Sequence, residues 1–192
     1  MRWHNQSMVI RNVRIGDEVG VAEVRVRGWQ VGYAGIVDAS FLDAMSMIEN
    51  AEGWASIIEK QGGLRRVFVA VDELTTRIVG YSTFGPYRFE TGDDKTMETT
   101  VLAEPGTVAE LYGFYVHPDH WGSGVSSELM AVTLDALTDD GWQSARLWML
   151  EANGRARRFY ARHGWFPDGT KQPLAIPGDP IEIRLARALP TS

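Results

Sequence analysis

Between Leu111 and Met130 the chain reads LYGFYVHPDHWGSGVSSELM. An aromatic, strand-like segment enters a Pro turn and passes through Gly-X-Gly. Beyond it Val125, Leu129, Val132 and Ala136 recur at three- and four-residue steps, the apolar face of an amphipathic helix. A strand joined this tightly to a helix commits the chain to sheet and helix packed in layers. The turn also has chemistry of its own. The first turn of a helix carries backbone N–H groups without partners, and the helix dipole adds partial positive charge there. Glycine lets an anion approach the backbone and permits positive φ. Trp121, Gly122, Ser123, Gly124, Val125 and Ser126 would supply the N–H groups, with hydroxyls from Ser123 and Ser126. Taken alone, Gly-X-Gly is equally an ordinary tight connection. GSGVSS lacks the third Gly of a dinucleotide fingerprint, and no Gly-Lys-Ser/Thr follows as in a P-loop.

The remaining chain reads as a mixed α+β layout in the order β-α-α-β-β-β-α-β-α-β-β. Met8–Arg14 alternates as a first strand, and Asp17 is placed to cap a helix from Val19 to about Tyr33. Ala39–Lys60 reads as one or two short helices. Arg65–Asp72 and Arg77–Tyr87 are β-rich and form a hairpin across ELTT. Phe89–Gly106 is polar and unpatterned, a long surface loop of the kind that is often functional. Thr107–Val116 is a strand, Gly122–Asp139 a helix, and Ser144–Glu151 a strand with the near-continuous apolar run of a buried, partly parallel one. A short helix, Asn153–His163, starts at Asn and stops at Gly164. GWFPDGT and IEIRLARAL give two closing strands. With 192 residues, 44% of them hydrophobic, residues 1–192 suit one domain.

Composition narrows the chemistry. No cysteine is present, which excludes disulfides, Cys-ligated zinc and a thiol nucleophile. No run approaches the ~20 apolar residues of a membrane span, and the N-terminus lacks a signal-peptide pattern, so no membrane partner and a cytoplasmic location are expected. A formal charge of −6 argues against non-specific nucleic-acid binding. His117 and His120 flank Pro118 without a carboxylate constellation; they read as surface loop positions, and no metal is expected.

VHPDHWGSGVSSELM followed by ANGRARRFYARHGW resembles the GNAT superfamily of acetyl-CoA-dependent N-acetyltransferases. The first segment is similar to the family's pyrophosphate motif, the second to its Asn-x-x-Ala-x-x-Phe-Tyr-x-x-x-Gly-Phe/Trp helix. The match covers most of Leu111–Gly169. Trp121 departs from the usual Gln or Arg, and Ser126 from Gly or Ala. The resemblance implies a mostly antiparallel sheet with splayed central strands and helices on both faces. It implies acetyl-CoA as cosubstrate, held along Phe114, Tyr115 and Val116, with its pyrophosphate at Trp121 to Ser126 and further contacts from Asn153 and Arg158. Phe114 N–H would face the thioester oxygen. Arg155, Arg157, Arg158 and Arg162 make a basic segment that is either a phosphate contact or a solvated face.

Transfer to a primary amine requires that an ammonium of pKa near ~10 lose a proton, and the departing thiolate needs one. Glu110 is the candidate base, alternatively a salt-bridged or exposed strand-start charge. Tyr160 is the candidate acid, alternatively a packed aromatic. Asn153 is a helix cap to which the resemblance adds a cosubstrate contact. Acceptor-side candidates are Trp29, Tyr33, Phe84, Tyr87 and Tyr112, of which Trp29 and Tyr33 have the spacing of core residues. The expected activity is direct acetyl transfer to the primary amine of a small molecule. Protein N-terminal or lysine acetylation and a non-catalytic acyl-CoA-binding module are the alternatives. A homodimer is a family-level expectation.

Overall fold

In the strand Arg66–Asp72 the side chains of Val67 and Val69 pack to one side and those of Phe68 and Ala70 to the other, and that alternation organises the molecule. The structure, a computed structural model, describes residues 8–60, 64–89, 101–102 and 107–190. Its strands are β1 (Met8–Asn12), β2 (Arg66–Asp72), β3 (Ile78–Pro86), β4 (Arg88–Phe89), β5 (Val101–Leu102), β6 (Val108–Val116), β7 (Ser144–Leu150), β8 (Phe166–Pro173) and β9 (Ile181–Ala188). The helices are α1 (Glu18–Gly32), α2 (Ala39–Asp43), α3 (Met47–Glu59), α4 (Val125–Asp139) and α5 (Gly154–Arg162). Seven strands form one sheet in the order β1-β2-β3-β6-β7-β9-β8. Every neighbouring pair is antiparallel except β6 with β7. Of the expected loop Phe89–Gly106 only Phe89 and Val101–Leu102 are among the described residues, and there Arg88–Phe89 pairs with Val101–Leu102. Among the described residues no helix is long and apolar enough to cross a membrane.

Helices cover both faces. On one, Val21, Ala22 and Val24 of α1 and Trp54 and Ile58 of α3 pack on Val67, Val69, Ile78 and Tyr81. On the other, Leu129, Met130 and Leu137 of α4 and Tyr160 of α5 pack on Phe68, Phe84, Leu111, Leu147 and Leu185. Each fully buried Leu or Val there contributes about 1.5–3 kcal/mol. A buried polar link crosses this second core. Thr133 Oγ1 donates to Leu129 O at 2.7 Å, and Ser82 Oγ lies 2.8 Å from the same hydroxyl.

Two local expectations change. Asp17 does not cap α1 through its side chain. Its carboxylate takes two bonds from Arg11, at 2.6 and 2.9 Å, and the Arg14 N–H at 2.9 Å, because a bidentate guanidinium outcompetes a cap. Burial alone pushes the Asp17 carboxyl up, but Arg11 and the Arg14 N–H outweigh it and hold it below the usual carboxylate range. His117, expected at the surface, is buried. Its Nδ1 accepts the Asp119 N–H and caps the short 3-10 turn Pro118–His120. Asn153 does cap α5, accepting from Ala156 N at 3.0 Å.

Candidate active site

Three features of the chain converge where β6 and β7 part. Their parallel pairing covers only Val108, Ala109 and Glu110 against Ser144, Ala145 and Arg146. Beyond that point β7 continues beside β9, while β6 stays with β3. The cause is local: β6 is paired to β3 as Thr83↔Gly113 and then Phe84↔Leu111, which leaves Tyr112 in a bulge that bends the strand. A wedge-shaped gap opens between the C-terminal halves of the two strands.

Hydrogen-bond alternation determines which backbone groups line the gap. His117 N donates to Val79 O at 2.7 Å, so two residues earlier Tyr115, and then Gly113, also bond toward β3. Phe114 and Val116 therefore present their N–H and C=O groups to the gap. Consistently, Val116 O accepts the Trp121 indole N–H at 2.8 Å.

At the end of the gap lies the Gly turn. Gly122 has φ +81° and Gly124, the residue before α4, φ +99°. Only glycine adopts such angles without strain. Among the described residues no partner accepts from the N–H groups of Gly122, Gly124, Val125 or Ser126. Four donors thus point out of one turn beside a helix N-terminus, an arrangement suited to a pyrophosphate. The Ser123 hydroxyl is engaged with His120 O at 2.7 Å. The Val125 side chain is core, so only its N–H is available to the turn.

Trp121 does more than replace a charge. Its indole is anchored to Val116 O, and the Arg155 guanidinium lies 3.4 Å from its ring centroid. The stack sets Arg155, on α5, beside the turn and brings there a side-chain cation that Trp121 itself lacks. Arg158 is exposed on the same helix.

From below, α5 carries aromatic rings to the gap. Phe114 stacks on Phe159 at 5.4 Å and meets the edge of Tyr160 at 6.4 Å. Burial, with smaller contributions from Tyr115 and Tyr81, pushes the Tyr160 phenol well up, so it stays protonated at neutral pH. From above, α1 presents Arg25, Trp29 and the adjoining Tyr33 at four-residue steps. The Trp29 indole donates to the Tyr115 hydroxyl at 3.0 Å and meets Tyr33 edge-on at 4.9 Å. The Tyr115 side chain thus belongs to the α1 face, and its backbone runs along the gap. Burial, then Tyr115, raises Tyr33 in the same way.

Glu110 is 2% exposed at the closed end of the gap. Its Oε2 accepts the Arg88 N–H at 3.0 Å and Arg88 Nε at 3.2 Å; its Oε1 accepts Arg88 Nη2. One lone-pair site remains, on Oε1. Tyr112 lies under Arg88 and Arg65 with its hydroxyl donating to Pro86 O at 2.5 Å. Burial, then the Glu110 carboxylate, pushes that phenol up to about 12. Tyr87 is buried beneath Arg146 and accepts from Arg184 Nη1 at 2.8 Å.

The structure thus gathers Glu110, Tyr112, Tyr115, Trp29, Tyr33 and Tyr160 around the gap. Phe84 is not among them: it is fully buried on the opposite face against Phe68, because it alternates with Tyr81 and Thr83 across the sheet. Arg25, Arg65 and Arg88 stand outside every motif of the sequence, and Arg155 enters only as one of the four arginines of the basic segment. For Arg155 the basic segment was a signal; the other three gave none.

Comparison with known proteins supports the same architecture. The family model described as Acetyltransferase (GNAT) family matches residues 20–165. The chain is 27% identical over 146 residues to the uncharacterized N-acetyltransferase YuaI of Bacillus subtilis, covering 76% of this chain and 73% of that one. It is 32% identical over 110 residues to a phosphinothricin N-acetyltransferase of Streptomyces coelicolor, a match spanning 57% of each. The crystal structure of the PaiA N-acetyltransferase from Thermoplasma acidophilum in complex with coenzyme A superposes with a TM-score of 0.72, covering 95% of this chain and 99% of that one at 18% identity. The splayed strands, the Gly turn and the family match together make this chain an acetyltransferase, a member of the GNAT family.

Proposed function

We propose that residues 1–192 form one acetyltransferase domain that moves an acetyl group from acetyl-CoA directly to the primary amine of a small molecule. The observation that carries this reading is the junction of an open β6 edge with four unpartnered N–H groups in the Gly turn. An extended thioester arm fits the first and a pyrophosphate the second. The relative named for coenzyme A in its crystal and the one named for phosphinothricin support the cosubstrate and the small acceptor.

In this reading Gly122, Gly124, Val125 and Ser126 hold the phosphates by their N–H groups, with Trp121 and Ser123 shaping the turn and Arg155 or Arg158 adding charge. Phe114 and Val116 bond the arm as a neighbouring strand would, and the Phe114 N–H polarises the thioester oxygen. Asn153, whose Oδ1 is engaged in the cap, has its amide nitrogen left to contact the cosubstrate. The amine enters from the α1 face, bounded by Trp29, Tyr33, Tyr87 and Tyr112. Glu110 takes its proton at the open site on Oε1, directly or through water, while Arg88 fixes the carboxylate. Tyr160, neutral and buried beside Phe114, donates to the departing thiolate. With no cysteine in the sequence, a cysteinyl acyl-enzyme cannot form.

The test is thiol release from acetyl-CoA across a panel of amines. Glu110→Gln and Tyr160→Phe are expected to lower kcat by about 10²–10⁴ and leave CoA affinity unchanged. Failure to bind CoA, or no thiol release with any amine, overturns the proposal.

A further inference from the structure

Overall the chain is acidic, with a formal charge of −6, yet the face through which an acceptor would enter carries the opposite sign. Gly113 lies there beneath Thr83, Tyr81 and Tyr115. A Cβ at this position would meet Thr83, Tyr115 and Tyr81 at 3.3–3.5 Å, so the absent side chain lets those three groups close in over the strand. Three guanidiniums stand around it, those of Arg25, Arg65 and Arg88, against the single carboxylate of Glu110.

Arg88 is satisfied by Glu110. Arg65 is not satisfied in that way. Its Nε donates to Thr83 Oγ1 at 3.1 Å and its guanidinium lies 5.1 Å from the Tyr112 ring centroid. Among the described residues, neither of its two terminal nitrogens has a hydrogen-bond partner and no carboxylate pairs with it. The free edge is the two-nitrogen fork that grips a carboxylate. Burial holds this guanidinium below its usual range, against the pull of Tyr112 and with a smaller push from Arg88, the direction expected of a partly desolvated cation. Arg25, half-buried and 5.4 Å from the Trp29 ring, likewise has no carboxylate partner among the described residues. The Tyr81 hydroxyl, within electrostatic reach of both, is fully buried beside the Arg25 guanidinium and makes no well-aligned hydrogen bond. A buried, poorly bonded hydroxyl beside two cations that lack carboxylate partners is costly unless a ligand completes the group.

We propose that the acceptor carries an anion beside its amine, a carboxylate in the simplest case, seated on the Arg65 fork with Arg25 and Tyr81 behind it. The inference rests on the acetyl-transfer reading above and narrows it. Glu110, within reach of Arg65, receives the ammonium end, so the pair reads a zwitterion such as an α-amino acid. Polyamines and aminoglycosides, which bring only further positive charge, are disfavoured.

The experiment uses the full chain with acetyl-CoA and a series of α-amino acids, each compared with its α-carboxamide by thiol release. Amides shed the ammonium proton more readily, so without recognition the amide is the faster acceptor. The expected result is at least a tenfold higher kcat/KM for the carboxylated member of each productive pair. Arg65→Gln is expected to erase that advantage while CoA affinity stays within twofold. Arg65→Lys, which keeps the charge and loses the fork, should restore part of it. Equal or better use of the amides, or a preference that survives Arg65→Gln, overturns the proposal. Calorimetric binding of N-acetylmethionine against N-acetylmethioninamide to the CoA-loaded protein gives a readout independent of turnover. If CoA binds and no amine is acetylated, the transfer reading fails. The anion inference then stands or falls on whether the acid binds more tightly than the amide.

Discussion

Gly124 offers the sharpest test of where the phosphates sit. At φ +99° it holds a conformation that an L-residue adopts only at a cost of about 1–2 kcal/mol. A Cβ built there meets nothing closer than a Glu128 side-chain oxygen at 3.9 Å, so the strain of Gly124→Ala is purely backbone. For a chain of this length that corresponds to a fall in Tm of about 2–8 °C. The effect on CoA should be far larger. The methyl group projects from the turn where the anion would approach, and relaxing φ re-aims the N–H groups of Gly124 and Val125. Two charge-assisted bonds at about 1.5–3 kcal/mol each amount to about 3–6 kcal/mol, or about 10²–10⁴ in Kd. Gly141→Ala supplies the control. It has φ +82° and open space around its Cβ position, at the other end of α4. It should lose a similar Tm and bind CoA as the parent does. Scanning calorimetry gives the first quantity and titration calorimetry the second. If the two variants bind CoA equally well, the turn is only a connection and the reasoning about the cradle is wrong.

Two predictions concern the frame around the site. Asp17→Asn should destabilise by about 1.5–3 kcal/mol at pH 7, the worth of hydrogen bonds to a charged group. Because the folded-state pKa of Asp17 lies below its unfolded value near ~3.9, the advantage of the parent is fully present above that pH and is lost as pH falls through the folded value; a difference that persists undiminished in acid refutes the ion-pair account. In the second core, Thr133 already donates to Leu129 O, so Ser82 must be the donor to Thr133. Thr133→Val orphans that buried proton and should cost about 1–3 kcal/mol in urea unfolding, Ser82→Ala less, and Thr133→Val little once Ser82 is Ala. Strictly additive losses would show that the two hydroxyls are not coupled.

The elements that could be read from sequence are those whose signal is local. Alternation in Val67–Ala70, the helical steps of Val125–Ala136 and the Asn153 cap each record a neighbour within four residues, and each appears in the fold. The Gly turn was legible for the same reason, since Gly122 and Gly124 encode their own backbone angles. What escaped was pairing at a distance. Arg88 finds Glu110 across 22 residues and Arg65 finds Thr83 across 18, and nothing in periodicity records where a long flexible cation ends. Asp17 and Phe84 show the converse. A plausible local role lost to Arg11 in the first case, and in the second the pleat sent the ring to the face away from the acceptor.

The three-pair contact between β6 and β7 has a mechanical consequence. Every other neighbouring pair in the sheet is matched over five or more residues, but here its two halves meet along a short seam of Val108–Glu110 and Ser144–Arg146, extended by the Thr107 carbonyl and backed by packed side chains. A molecule laid along Phe114 and Val116 would act as a splint across that seam, pairing the stretch of β6 that β7 leaves. Cosubstrate binding would then stiffen the whole sheet. Slowed amide exchange at Phe114 and Val116, and in β7 across the seam, would report occupancy as directly as any assay of turnover.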